Sequence, residues 1–268
     1  MLDPTGDGAP TVRSYHDSGV VIAGGSGGVG LAAALGFIDA GVRKIVLLGR
    51  NVERGTAARD LVGARAERVE ATFVPVEADD VDEVFAAVDS ARDILGSIDV
   101  LVSSLTAAYT PDLLHRIPPK DMARILTAQA LPPMYFTRAV LPIMREQGGG
   151  SIVNIASDAA KVPTPGESVL GAAMSAIVMF SRTAAIEGKR DGIRVNVLTP
   201  SLIAGTATAE RVLSDGFSRS LFEKAARQAH LGVAEPIDIA ELVVYLGGPA
   251  AARLTGQTIS VNGGISIA

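Results

Sequence analysis

The residues best placed to do chemistry begin at Val20-Val21-Ile22-Ala23-Gly24-Gly25-Ser26-Gly27-Gly28-Val29-Gly30, where an apolar strand runs into a glycine cluster and then a helix. Glycine lets a backbone turn tightly and approach a pyrophosphate. The N–H groups and dipole of the helix start then hold the anion. The spacing Gly24-x-x-x-Gly28-x-Gly30 departs from the generic Gly-x-Gly-x-x-Gly form. The strand before, the helix after and a second strand at Lys44–Leu48 nevertheless make it a candidate phosphate loop, with Gly24, Ser26, Gly27, Val29 and Gly30 as its contacts. The bland alternative is a tight strand–helix turn. After the second strand, NAD sites place an acid for the ribose 2′-OH. Here that position is Gly49, and its neighbour is Arg50. A guanidinium matches a 2′-phosphate bidentately, which points to NADP(H) over NAD(H). Otherwise Arg50 is a solvated surface residue.

Composition narrows the field. The chain has 268 residues, no Cys, no Trp and three scattered His, and its net charge is −5. No thiolate or histidine spacing suits a metal, and no basic run suits nucleic acid. The apolar runs read as too short to span a bilayer. Residues 1–17 lack the basic start and apolar run of a signal peptide and read as a disordered extension. The absence of cysteine fits a reducing cytoplasm.

The elements that position the loop alternate. Apolar runs at Val20–Ala23, Lys44–Leu48, Ala71–Val76, Ile98–Ser103, Ser151–Ala156, Ile193–Leu198 and Thr258–Val261 lack strict alternation, as strands buried on both faces do. Helical spacing fills Gly28–Ala40, Glu53–Ala66, Val81–Leu95, Pro119–Gln147, Ser168–Arg190 and Pro236–Gly247. This predicts one α/β domain over 18–268: a Rossmann-like, doubly wound, seven-stranded parallel sheet flanked by six helices. Segment 201–232 has no strand character and is a candidate lid. Pro132-Pro133 predicts a kink near Gln129.

Further motifs follow: Ile98-Asp99-Val100-Leu101-Val102, Gly150-Ser151-Ile152-Val153-Asn154-Ile155-Ala156-Ser157, Arg194-Val195-Asn196-Val197-Leu198-Thr199-Pro200 and Thr255-Gly256-Gln257-Thr258-Ile259-Ser260-Val261-Asn262-Gly263-Gly264. With the glycine loop, they resemble the short-chain dehydrogenase/reductase family over nearly the whole chain. The resemblance implies a bound nicotinamide dinucleotide and a small-molecule substrate. It also implies a homotetramer or dimer whose main interface is built by the fourth and fifth helices. It places Glu77 and Ala78 at the adenine, Ser104 near the adenosine ribose, and Pro200 and Ile203 along the cofactor cleft.

The departures from the family decide the functional reading. The family's Tyr donates or accepts the proton, its Lys four residues on lowers the Tyr pKa, its Ser polarises the carbonyl, and an Asn supports a water relay. Ser157 matches the Ser, but Leu170 stands for Tyr, Met174 for Lys and Gln129 for Asn. Residues four apart share a helix face, and this face is apolar. Losing the phenol and the cation together leaves no unpaired buried ammonium. It reads as a pocket of Gln129, Ser157, Leu170 and Met174 repacked for another use. The Asn-Asn-Ala-Gly motif is replaced by Ser103-Ser104-Leu105-Thr106, where Thr106 narrows the cleft, and Pro200-Ser201 replaces Pro-Gly.

Tyr109, His115, Asp158, Lys161, Glu167 and Ser168 flank the cleft, yet each reads first as a solvated loop residue. None has helical spacing to Ser157 or Met174; Tyr109 and His115 are the best candidates for a replacement acid. The expectation is an atypical NADP(H)-binding oxidoreductase acting on a small apolar carbonyl or alcohol. The alternative is a catalytically silent nucleotide-binding subunit, paired in a hetero-oligomer with an active relative. A non-redox enzyme would need an activated nucleophile, and no base is positioned for one.

Overall fold

The computed structural model describes residues 12–214 and 216–268. Seven strands form one sheet: β1 (Gly19–Ala23), β2 (Lys44–Gly49), β3 (Glu70–Pro75), β4 (Val100–Ser103), β5 (Gly150–Ile155), β6 (Ile193–Pro200) and β7 (Thr258–Val261), in the order β3-β2-β1-β4-β5-β6-β7. All neighbours are parallel, and Ala23 lies between Leu48 and Ser103. Chain direction across the sheet reverses between β1 and β4. A doubly wound sheet opens its ligand crevice there, at the carboxyl ends of the strands.

The helices are α1 (Gly28–Asp39), α2 (Val52–Gly63), α3 (Val81–Leu95), α4 (Pro119–Glu146), α5 (Ser168–Gly188), α6 (Ala207–Val212), α7 (Gly216–Gln228) and α8 (Pro236–Gly247). Helices α1, α2 and α8 bury Ala33, Phe37, Val62, Val243 and Leu246 on one face of the sheet. Helices α3, α4 and α5 bury Val84, Val88, Phe136, Met144 and Ala184 on the other. Residues 20 to 23 of β1 are fully buried, which explains why that strand reads as an unbroken apolar run. Caps set the boundaries: the Asn51 side chain accepts from Arg54 N at 2.8 Å, and the Asp80 side chain accepts from Asp82 N and Glu83 N. The Asp238 carboxylate accepts from Glu235 N at 2.7 Å.

Three expectations change. The candidate lid contains two helices, α6 and α7, with a small apolar cluster of Leu202, Ala209 and Val212, so eight α-helices stand among the described residues where six were expected. Segment Ser168–Asp191 is long and apolar enough to cross a membrane by length and composition. Half of it is buried inside the protein, as a core helix against α4 and β6. Its apolar character serves the core on one side and remains exposed at Met179 and Ile186 on the other. Of the N-terminal extension, residues 1–11 lie outside the described part, while its end is tied down. The Arg13 guanidinium donates to Ser97 Oγ at 2.6 Å. The Tyr15 hydroxyl donates to Val244 O at 2.9 Å, and its ring meets Phe37 edge-on.

Candidate cofactor and active site

The glycine loop is built around two close approaches. Gly24 has φ +84°, and a Cβ there would lie 2.3 Å from Ser104 O, so the loop and the end of β4 touch through backbone alone. A Cβ on Gly30 would lie 2.2 Å from Gly24 O, which fixes how closely α1 meets β1. Gly28 has φ +51°. Gly27 caps α1 and offers no side-chain acceptor to the first-turn N–H groups. Such groups at a helix start suit an anion. Thr206, which caps α6 through Ala209 N, lies beside Gly28, so α6 begins next to the loop.

A second cation stands at this corner, one that the sequence reading missed. A Cβ on Gly27 would lie 2.8 Å from Arg54 Nη2. Arg54 is one helical turn beyond Arg50, and Ser26 Oγ approaches Gly49. Ser26, Gly27, Arg50 and Arg54 therefore gather where β2 ends. The i,i+4 spacing of the two arginines was the available signal; the N-cap at Asn51 is what starts α2 between them. Both arginines are exposed, as is Glu77. Glu77 N donates to the Glu83 carboxylate at 2.8 Å. Pro200 ends β6, and Ile203 pairs with Ala234 in an isolated parallel bridge. Together these residues form a cradle that fits a dinucleotide: backbone N–H groups at the loop, cations at the β2 end, and the start of α6 beside it.

The expected catalytic face lies across the crevice. Ser157 caps a short 3-10 turn, Asp158–Ala160, its Oγ accepting from Ala159 N at 3.2 Å. That turn is pinned to α5. A Cβ on Gly171 would lie 2.8 Å from Ala159 O, and Ser175 Oγ donates to Ala160 O at 2.8 Å. Ser157 is therefore held beside the Leu170–Met174 turn. Met174 is 6% exposed and Leu170 half-buried, so the face is apolar in space as in sequence. Gln129 is 5% exposed, and its amide is committed: Nε2 donates to Ala107 O at 3.0 Å and Oε1 accepts from Ala107 N at 3.4 Å. Its place is a clamp on the segment after β4.

The flanking residues separate. His115 and Ser168 are exposed, and Lys161 is half-buried. Asp158 and Glu167 are not solvated loop residues, because they are only 5% and 8% exposed. Asp158 Oδ2 accepts from Asn262 at 3.3 Å, while its buried Oδ1 has no partner. Burial pushes the Glu167 carboxyl up to about 7. A hydrogen bond from Thr164 opposes this, and repulsion from Asp158 adds to it. The Tyr109 hydroxyl donates to Gly166 O at 2.7 Å. Burial raises its pKa and the Glu167 charge adds to that, so the phenol keeps its proton. Glu167 caps α5 in a non-helical conformation (φ −113°, ψ 24°), its carbonyl accepting from Gly171 N at 2.6 Å. A cavity of about 210 Å³ lies further out, lined by Tyr109, Asp112, Arg116 and Arg124. It borders the segment after β4 rather than the glycine loop, so it is not the cofactor crevice. Among the described residues no group of His, Asp and Glu could hold a metal ion.

Comparison with known proteins agrees with this geometry. Residues 23–266 match the family described as enoyl-(acyl carrier protein) reductase. An uncharacterised oxidoreductase of Mycobacterium tuberculosis is 33% identical over 258 residues, covering 93% of this chain and 92% of that protein. A 3-oxoacyl-[acyl-carrier-protein] reductase of Synechocystis is 32% identical, covering 91% and 95%. Among solved structures, a short-chain type dehydrogenase/reductase from Mycobacterium ulcerans superposes with a TM-score of 0.86 at 26% identity, covering 94% and 91%. A 3-ketoacyl-(acyl-carrier-protein) reductase from Brucella melitensis complexed with NADH superposes with a TM-score of 0.83 at 26% identity, covering 95% and 100%. The chain belongs to the short-chain dehydrogenase/reductase family of oxidoreductases, whose members bind NAD(P)(H) and act on small molecules.

Proposed function

We propose that this chain binds NADP(H) in the glycine-loop crevice and slowly reduces a small apolar carbonyl compound, or oxidises the corresponding alcohol, without the Tyr–Lys pair of its family. The observation that carries the reading is the pairing of a sterically complete phosphate loop with two arginines at the end of β2. Gly24, Ser26, Gly27, Val29 and Gly30 would hold the pyrophosphate, and Arg50 with Arg54 the 2′-phosphate. Glu77 and Ala78 would border the adenine, Ser104 the ribose, and Pro200 with Ile203 the nicotinamide side. A nicotinamide held there would supply or accept a hydride. Ser157 orients the carbonyl oxygen, while Leu170 and Met174 present apolar surface to the substrate and exclude water. The absence of cysteine fits work in the cytoplasm.

Titration of purified protein with NADPH and NADH, followed by cofactor fluorescence, tests this. Tighter binding of NADPH is expected; no binding of either at millimolar concentration would end it. The second reading, a silent nucleotide-binding subunit, draws on the apolar Leu170–Met174 face. It also draws on Met122, Leu126, Met179 and Ile186, which leave α4 and α5 with exposed apolar surface for a dimer, a tetramer or an active partner subunit. Cofactor binding without turnover of any carbonyl compound would favour it.

A further inference from the structure

We propose that Glu167 is the proton donor of this site, a carboxylic acid standing in for the missing phenol, with Asp158 as the neighbouring acid that tunes it. This rests on the cofactor reading above and adds the source of the proton.

Four observations converge. Glu167 caps α5, and its carbonyl accepts from the N–H of Gly171, the residue that abuts Ala159 O, so it stands at the end of α5 that meets the turn capped by Ser157. Its neighbour Gly166 is sandwiched: Tyr109 Oη and Asp112 N both donate to Gly166 O, and Phe217 of the lid packs on its Cα side. Gly166 and Glu167 are buried by these contacts, while Pro165 and Ser168 on either side stay exposed. Asp158 directly follows Ser157 and is 95% buried (5% exposed), with one carboxyl oxygen unpartnered. A buried unpaired oxygen is costly unless a polar group comes to it. The titratable groups that face Glu167 are Asp158, from the turn after β5, and Tyr109, from the segment after β4, both acids. Burial and the Asp158 charge keep the Glu167 proton on at near-neutral pH, as a general acid requires.

The step balances as a carbonyl reduction. The carbonyl carbon gains a hydride, with its electron pair, from the reduced nicotinamide. The oxygen gains the Glu167 proton. The products are an alcohol, the oxidised nicotinamide and a Glu167 carboxylate, which recovers its proton from water when the lid opens.

The test has two readouts. In the first, infrared difference spectra of the cofactor-free protein follow carboxyl groups through a pH titration. A protonated carboxyl band should disappear with a midpoint near 7 and be missing in Glu167→Gln. Asp158→Asn should move that midpoint to lower pH by removing the repelling charge. In the second, NADPH-driven reduction of a panel of aryl and alkyl ketones is measured across pH. The wild-type kcat should fall as pH rises through the same midpoint. Glu167→Gln should lower kcat by about 10²–10⁴-fold with NADPH affinity unchanged. A Glu167 midpoint in the ordinary carboxylate range overturns the proposal, as does a Glu167→Gln variant that keeps its rate and pH profile. Tight NADPH binding with no turnover of any ketone also overturns it, while sparing the cofactor reading. Failure of NADPH to bind removes both.

Discussion

The Gln129 side-chain amide brackets the backbone of Ala107, donating to its carbonyl at 3.0 Å and accepting from its N–H at 3.4 Å. The buried Gln129 thereby fixes the segment that carries Tyr109. Gln129→Ala leaves two backbone groups without that partner and should cost about 1–3 kcal/mol, read as a shift in the urea midpoint. Gln129→Asn is one methylene shorter and should recover little of it. Full stability of both variants would show that the clamp is incidental.

Arg50→Asp should move preference from NADPH toward NADH, because it replaces a phosphate-matching cation with an acid able to hold a ribose 2′-OH. Arg54→Ala should weaken NADPH more than NADH, by about tenfold to a hundredfold, the range of a charged hydrogen bond worth about 1.5–3 kcal/mol. Fluorescence titrations of the two cofactors read both. An unchanged ratio in either variant would return that arginine to the solvated surface.

Gly24→Ala should abolish cofactor binding and reduce stability together. The residue sits at φ +84°, and the new methyl carbon would lie 2.3 Å from Ser104 O, a backbone atom that cannot swing aside. Calorimetry with and without NADPH measures both. An alanine variant that still binds NADPH would mean the loop tolerates a rearrangement incompatible with the cradle described above.

In a Glu167→Gln background, the double change Leu170→Tyr with Met174→Lys should raise carbonyl reduction by at least about 10²-fold, the lower end of acid–base help. It places a phenol and its activating cation on one face of α5, beside the turn that holds Ser157. Either single change should do little: the phenol alone stays weakly acidic, and the lysine alone puts an unpaired ammonium at a site only 6% exposed. Equal rates with and without the double change in that background would show that the reaction does not use this face.

Folding stability should depend on pH through Glu167. Its carboxyl titrates at about 7 in the folded protein against an ordinary 4.5. Below the lower value both states hold the proton, and the folded protein keeps the full contribution. As pH rises toward 7 the unfolded chain ionises first, so the folded state loses stability, by up to about 3 kcal/mol from linkage. Above 7 the contribution is gone and the curve is flat. Glu167→Gln should remove this slope; wild-type and variant urea midpoints that run parallel from about pH 5 to pH 8 would contradict it.

The order of strands and helices was legible in the sequence because each strand is buried on both faces and reads as an unbroken apolar run, and because Asp80, Pro119 and Pro236 mark helix starts chemically. The glycine loop was legible for a similar reason: its conformation demands glycine at Gly24, where no side chain fits. The Leu170–Met174 face could also be read, since four residues make one helical turn wherever the helix lies. The burial of Asp158 and Glu167 could not. They sit in a connection, where sequence pattern predicts solvent, and only the packing of the lid, the 158–160 turn and the C-terminal Asn262 around them removes the water. Arg54 over Gly27 was hidden likewise, because the contact joins the first turn of α2 to the loop before α1, which the parallel pairing of β1 with β2 brings together. Local chemistry set the elements; long-range packing decided which charges are desolvated and which groups meet.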